Sequence, residues 1–584
     1  MSEQQQQQQS ALSGAHKPLS AQHDVAILGG GIAGLTLALQ LQQMQPGLDI
    51  IVLEKQPHPV PEAAHKVGES TVEIAAHYMR DVLGLGKHLQ NCELRKFGLR
   101  FFFSAQGNQD ITRRVELGHA LPPPRAVESY QLDRGRLENA LGQEVEERGI
   151  TFLSGCRVQQ VELRPQSETH RVRIQDESGE RELQARWVVD ASGRSSLLKR
   201  QLGLAKKTDH HVNAAWFRLS ENIDLNTWSD DPVWQARIQQ GGQRYLSTNH
   251  LMGPGYWVWL IPLGSGSISV GIVADAQMHP FEEINRFERA MDWLRRYEPQ
   301  CAREVELRLE TLQDFRVMKD YCYSCEQVYS GDRWCLTGEA GVFLDPFYSP
   351  GSDMISISNG LICDLITSGL AGEELNDLAA THNQLYLMLN DSWRSTYEYQ
   401  YPIMGNAQVM SAKIIWDTAA YWAAPALLYY HDKFRTFADT PVIALNLLHF
   451  SLLSKHIQAF FREWHALDQR PAADAFIRYY DFDFMPTLQM GLVANLSDSD
   501  LETQFRANIH FLDRLAGQLV SLVSAELSTR SGEEAVGRQL AAWRAEPFLN
   551  ELVALYQQDQ QTEPLASGWV TLGGRSWEKQ EVMR

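Results

Sequence analysis

DVAILGGGIAGLTLALQLQQMQPGLDIIVLEK, residues 24–55, reads as a strand, a glycine-rich turn, a helix and a second strand ending in an acid. Val25 to Leu28 form the short apolar run of a buried parallel strand. Gly29, Gly31 and Gly34 then fall in the GxGxxG spacing, which allows a tight turn, close backbone approach to a pyrophosphate and close helix packing. The following helix turns its N-terminus, with free N–H groups and the positive dipole end, toward such a phosphate. Glu54 stands about 20 residues past the last glycine, where an acid reaches a ribose hydroxyl. Strand, turn, helix, strand and acid in this order point to dinucleotide binding.

The rest of the chain must supply more than one further unit, because 584 residues exceed a single ordinary core. A net charge of -19 argues against nucleic acid or an anionic membrane as the main partner. Residues 1–23, with six consecutive glutamines, read as a disordered tail without a signal peptide, and 561–584 as a second loose tail. Seven cysteines without a secretory signal suggest reduced thiols and a cytoplasmic location. Cys322 and Cys325 form a lone CxxC with no second pair, so no metal site is expected. No apolar run reaches the length of a membrane span, and Val442 to Leu453 reads instead as a buried helix.

After Glu54, Gly68-Glu69-Ser70 reads as a helix cap, either an ordinary one or one facing a cofactor. Lys96, before a run of aromatic residues, is by spacing an unexceptional lysine. Arg134 and Arg136 open a helix at its positive end, which suits either a surface pair or an anionic partner. Residues 151–190 form a meander ending in Asp190-Ala191-Ser192-Gly193-Arg194. Period-two strands occupy about 207–275, and Trp257 and Trp259 at i and i+2 share one face. Gly338-Glu339 repeats the strand-then-glycine pattern, and a helix is expected to begin near Gly351. Residues 371–560 carry helical patterning. The fold class is therefore α/β: a Rossmann-like module over 24–370, an interleaved mixed β-sheet substrate domain, and a mainly helical C-terminal domain on the substrate side.

With these segments read, the chain resembles the flavin-dependent halogenases within the aromatic-hydroxylase-like FAD superfamily, over roughly residues 24–370. The superfamily likeness rests on Gly29, Gly31, Gly34, Glu54, Arg134, the Asp190–Arg194 segment and Gly338 through Gly351. The halogenase likeness rests on Trp257-Val258-Trp259-Leu260-Ile261-Pro262, which fits WxWxIP, and on Lys96-Phe97-Gly98-Leu99-Arg100-Phe101, which fits the pattern around the family's essential lysine. The resemblance implies FAD held by Gly29, Gly31, Ala33, Gly34, Glu54, Lys55, Glu69, Ser70, Arg134, Val158, Glu339, Asp345, Gly351 and Ser352. It implies that a separate reductase supplies reduced FAD, that oxygen and halide yield hypohalous acid, and that Lys96 presents it to an electron-rich aromatic or polyene carbon. Trp257 and Trp259 would wall flavin from substrate.

Two positions depart from the family pattern. Tyr348 stands where free-tryptophan halogenases carry a glutamate, which implies the branch acting on phenolic or carrier-bound substrates. The family's halide site uses two backbone N–H groups at the positions of Pro350 and Gly351, and proline has none. Two other readings stay open at this stage: a flavin monooxygenase that uses no halide, and a non-catalytic flavin-binding partner.

Overall fold

The structure, a computed structural model, describes residues 20–559 apart from 64–65, 167, 239–241, 469, 471–474 and 530–533. Most of both expected tails lies outside the described residues. The first strand, Gln22–Leu28, starts two residues earlier than the sequence pattern suggests. Its extension is held by pairing with Gln184 and Ala185, a signal absent from the strand's own residues.

The glycine-rich segment folds as read. Gln22–Leu28 lies between Ile50–Leu53 and Gly179–Asp190, parallel to both, and Trp334–Leu336 continues the parallel sheet beyond Asp190. Thr151–Leu153 closes the other side. Val25, Ala26, Ile27 and Ile51 are fully buried, as expected for strands covered on both faces. The Ile32–Met44 helix leaves the turn immediately. A Cβ on Gly34 would lie 2.0 Å from the Gly29 carbonyl oxygen, so helix and turn touch backbone to backbone. Arg157–Glu162, His170–Asp176 and Gly179–Asp190 form the expected meander.

The second sheet is wider than the 207–275 span read from strand patterning. Its order runs Leu312–Met318, Val212–Leu219, Ile268–Asp275, Tyr256–Pro262, Thr248–Gly253, Leu99–Phe103, Glu116–Leu117 and Phe476–Ile477. Leu99–Phe103 pairs in parallel with Thr248–Gly253, and Phe476–Ile477 comes from the C-terminal region. Such long-range additions leave no mark on local periodicity. The sheet covers its own core, packed against Phe287–Tyr297 and Pro299–Glu306.

The C-terminal region is helical as expected. Pro441–Leu467 is not wholly buried, however: Leu445, Leu448 and Leu452 are exposed along one face. Among the described residues one helix, Pro350–Ala371, is long and apolar enough to cross a membrane, although no membrane span was read from the sequence. More than half of its most apolar window is buried inside the protein. Asn359 on it hydrogen-bonds Thr36 and Tyr78, which marks a core helix.

Candidate active site

Two glycine turns meet at the head of the parallel sheet. The ideal Cβ of Gly338, at φ +58°, would lie 3.1 Å from Ala33, so the second turn rests on the first helix. Asn359 donates to the Ala33 carbonyl at 3.2 Å. Glu54 is buried, and its carboxylate accepts the N–H groups of Gly30 at 2.7 Å and Gln56 at 2.8 Å. Lys55 is exposed and reaches Ser195 at 3.3 Å. Val158 lies two residues past Cys156, whose N–H bonds the Glu54 carbonyl.

Arg134 resolves the helix-start puzzle. One of its nitrogens donates to the Val67 carbonyl at 2.7 Å and another to Glu138 one turn later, and Lys66 shares that same carboxylate at 2.8 Å. Two cations thus flank one buried acid beside Gly31, and the Glu339 carboxylate also lies within electrostatic reach of both. A Cβ at Gly31 would stand 3.1 Å from the Lys66 nitrogen, and the backbone face there is otherwise open. The Arg134 Nε is buried without a hydrogen-bond partner. Bare glycine backbone, two nearby cations and an orphaned donor together fit a pyrophosphate, so the residues present fit FAD.

Other expected FAD contacts fall into two groups. Glu339 lies 3.9 Å from Arg194, at the rim of the Gly193 turn. Glu69 is buried against Arg218 at 2.8 Å, with its second oxygen unpartnered, and burial raises its pKa. Asp345 stands apart. It is buried and accepts from His210 at 2.7 Å, Tyr401 at 2.6 Å and the Phe347 N–H at 3.0 Å. The local pattern showed an acid after a turn but not the three donors that claim it.

Trp257 belongs to that same network, donating from its indole to Tyr401 at 2.9 Å. Its ring packs on Phe347 at 5.3 Å, and Phe347 on Tyr348 at 4.5 Å. The two tryptophans pack at 5.7 Å and are both buried. Trp259 packs instead on Trp216 and donates to Ser269, and neither tryptophan is among the residues lining the cavity below. Gly271 makes room for Trp259, since a Cβ there would fall 2.1 Å from the indole ring. Gly271→Ala is therefore expected to destabilise the protein by about 1–3 kcal/mol through overpacking, read from the denaturant midpoint. An unchanged midpoint would refute that packing.

Lys96 lies between Leu94–Arg95 and Leu99–Phe103, 2% exposed. Its ammonium nitrogen donates to the Ser70 hydroxyl and the Thr71 carbonyl, each at 2.8 Å. It lines a cavity of about 90 Å³ whose wall also includes Glu73, Asp353, Pro350 and Tyr348. Burial lowers the Lys96 pKa to about 7 against the pull of the Glu73 and Asp353 charges. Burial likewise raises Asp353 to about 7, although Tyr421 at 2.7 Å and the Ala75 N–H at 2.9 Å bond its carboxylate. Glu73 is raised by burial and accepts from Gln489 at 2.7 Å.

The helix that the sequence placed near Gly351 begins at Pro350, after Ser349 in a left-handed conformation. Pro350 fits the first helical position because no intrahelical acceptor is needed there. The N–H groups of Gly351 and Ser352 fall in the unpaired first turn. Gly351 is exposed, and a Cβ on it would meet nothing within 4 Å. Cys322 and Cys325 are free thiols, and no cluster able to hold a metal ion occurs among the described residues.

Sequence reasoning missed Glu73, Asp353, Lys66 and Glu138 as site residues. A Glu three residues past Ser70 and an acid in the first turn of the Pro350 helix were visible, but nothing local tied either to Lys96.

Comparison with known proteins agrees with this geometry. The family model described as FAD binding domain matches residues 22–316. A flavin-dependent halogenase of Dictyostelium discoideum, chlA, is 24% identical over 433 residues, covering 69% of this chain and 70% of that protein. A 1H-pyrrole-2-carbonyl peptidyl-carrier-protein chlorinase of Pseudomonas fluorescens is 26% identical over 396 residues, 65% of this chain and 82% of that one. Halogenase PltM, solved with phloroglucinol and FAD, superposes with a TM-score of 0.60 at 16% identity, over 95% of this chain and 99% of its own.

Proposed function

The chain belongs to the FAD binding domain family, and from that premise we propose that it is a FAD-dependent halogenase acting on a small electron-rich aromatic substrate through Lys96. The observation that carries this reading is a buried lysine, pKa about 7, facing a cavity beside a helix N-terminus. Halogenases from an amoeba and a bacterium among the relatives support it.

Reduced FAD, supplied by a separate and transient flavin reductase, provides the electrons that activate oxygen. The protein's own residues do the rest. The Gly29–Gly34 turn, Lys66 and Arg134 hold the pyrophosphate. Gly351 and Ser352 offer N–H groups and the positive end of a 22-residue helix to the halide. Pro350 removes one donor from that site, a loss of roughly 1.5–3 kcal/mol for an anion. Ser70 and Thr71 fix the Lys96 nitrogen so that its remaining position faces the cavity. As ammonium it donates a hydrogen bond to the oxidised halogen species, and as amine it offers a lone pair. Trp257 braces the 345–350 loop through Phe347, and the two buried tryptophans keep water out of the path.

Tyr348, Trp393 and Trp422 in the cavity wall favour a phenolic aromatic substrate. The carrier-protein relative keeps tethered substrates as the second reading. Free thiols at all seven cysteines suit the cytoplasm.

Product formation is expected to require both halide and an added reductase, with no NADPH oxidation by this protein alone. Substrate-stimulated NADPH oxidation without a reductase, giving hydroxylated product, would move the protein to the monooxygenases.

A further inference from the structure

Glu73, Asp353 and Lys96 form one polar group in the cavity wall. Asp417, in the same wall with Tyr348 and Thr418, is not among the charges that act on Lys96. Asp417 lies on the Ala407–Tyr421 helix with its side chain 5% exposed. It accepts the Tyr348 hydroxyl at 2.9 Å, the Gln458 amide at 2.6 Å and the ammonium of Lys413 one turn earlier. Lys413 is itself buried. A buried ion pair is a weak way to fasten a helix, since apolar residues of similar size often do as well or better. Its position in a cavity wall calls for another role.

We propose that Asp417 is the acceptor that anchors the hydroxyl group of a phenolic substrate, with Lys413 as its counter-charge. The proposal rests on the halogenase reading for the reaction but not for the binding. Tyr348 demonstrates the contact: a phenol hydroxyl of the protein already sits on this carboxylate at hydrogen-bond distance. Burial and the Asp417 charge push the Tyr348 pKa up, so it stays a donor. Trp393, Trp422 and Tyr421 supply aromatic and apolar wall for a flat ring. A substrate hydroxyl on Asp417 leaves the ring in the cavity that Lys96 lines. As the new carbon–halogen bond forms, positive charge spreads to the hydroxyl, its O–H becomes more acidic and its bond to the carboxylate strengthens. Asp417 therefore favours the transition state over the bound substrate.

The test compares resorcinol with 1,3-dimethoxybenzene, the same ring with and without hydroxyl donors. Binding is read from tryptophan fluorescence, since Trp393 and Trp422 line the cavity. The wild-type protein is expected to bind resorcinol roughly tenfold or more tightly than its ether. Asp417→Asn is expected to erase that preference. Tyr348→Phe, which frees a lone pair on Asp417, is expected to widen it, and serves if Asp417→Asn does not fold. Equal binding of the two rings by the wild type, an unchanged preference in Asp417→Asn, or a narrowed one in Tyr348→Phe overturns the proposal. A binding preference that follows these rules without any halogenated product would instead overturn the halogenase reading.

Discussion

Lys96→Met is expected to lower halogenation by roughly 10²–10⁴-fold while raising thermal stability at neutral pH. The loss of activity follows from geometry: the nitrogen is buried, held by Ser70 and Thr71, and faces the cavity. No other lysine lines that cavity. The gain in stability follows from the same burial. Lys96 titrates at about 7 in the folded chain against 10.5 for an ordinary lysine. Below pH 7 both folded and unfolded chains carry the charge, and burying it costs the full amount, on the order of 5 kcal/mol. Between pH 7 and 10.5 the unfolded chain holds a proton that the folded chain has released, so stability rises with pH as that cost shrinks. Methionine removes the cost and gives up two hydrogen bonds, each worth about 1 kcal/mol. Glu73 and Asp353 lose their neighbouring cation, but both are already raised by burial and remain protonated over more of the range. The expected result is a higher melting temperature for Lys96→Met near pH 7, with the difference closing toward pH 10. A lower melting temperature near pH 7, or product formed at an undiminished rate, would refute this account of the lysine.

Gly34→Ala is expected to abolish flavin binding and sharply reduce folded yield. The added Cβ would lie 2.0 Å from the Gly29 carbonyl oxygen, well inside any contact real atoms make. Gly29 cannot yield, because it sits at φ +125°, its N–H bonds the Leu53 carbonyl at 2.8 Å, and even a Cβ of its own would lie 2.3 Å from the Ala191 carbonyl oxygen. Separating turn from helix would break the three-strand head of the parallel sheet, where backbone lies against backbone. Gly351→Ala is the matched comparison: nothing lies within 4 Å of its Cβ, so it is expected to fold and bind FAD. Flavin absorbance of the purified variants, with their circular dichroism, checks both. A Gly34→Ala protein that binds FAD normally would contradict the packing at that turn.

The flavin cradle was legible because its determinants are consecutive. Val25 to Glu54 spans one strand, one turn, one helix and the next strand, each with its own local signature. Lys96 was legible as a position only through the motif around it. Its electrostatic setting was not, because that setting is assembled from distant segments. Ala75 and Asp353 meet across 278 positions, and Glu73 and Gln489 across 416. The same limit hid the partners of Asp345, since His210 and Tyr401 reach it from distant segments. It explains the second sheet as well, where Phe476–Ile477 joins Glu116–Leu117 from the far end of the chain. Trp257 and Trp259 pack on one another as their spacing required, and the contact of Trp257 with Phe347, ninety positions on, left no local mark.

The most direct test is the mass spectrum of the product formed by the wild-type protein from resorcinol, bromide, oxygen and FAD kept reduced by an independent reductase. A bromine substitution is expected, seen as a doublet of nearly equal peaks two mass units apart, absent without bromide and absent with Lys96→Met. A product heavier than resorcinol by one oxygen atom, formed equally well without bromide, would contradict a halogenase built around Lys96.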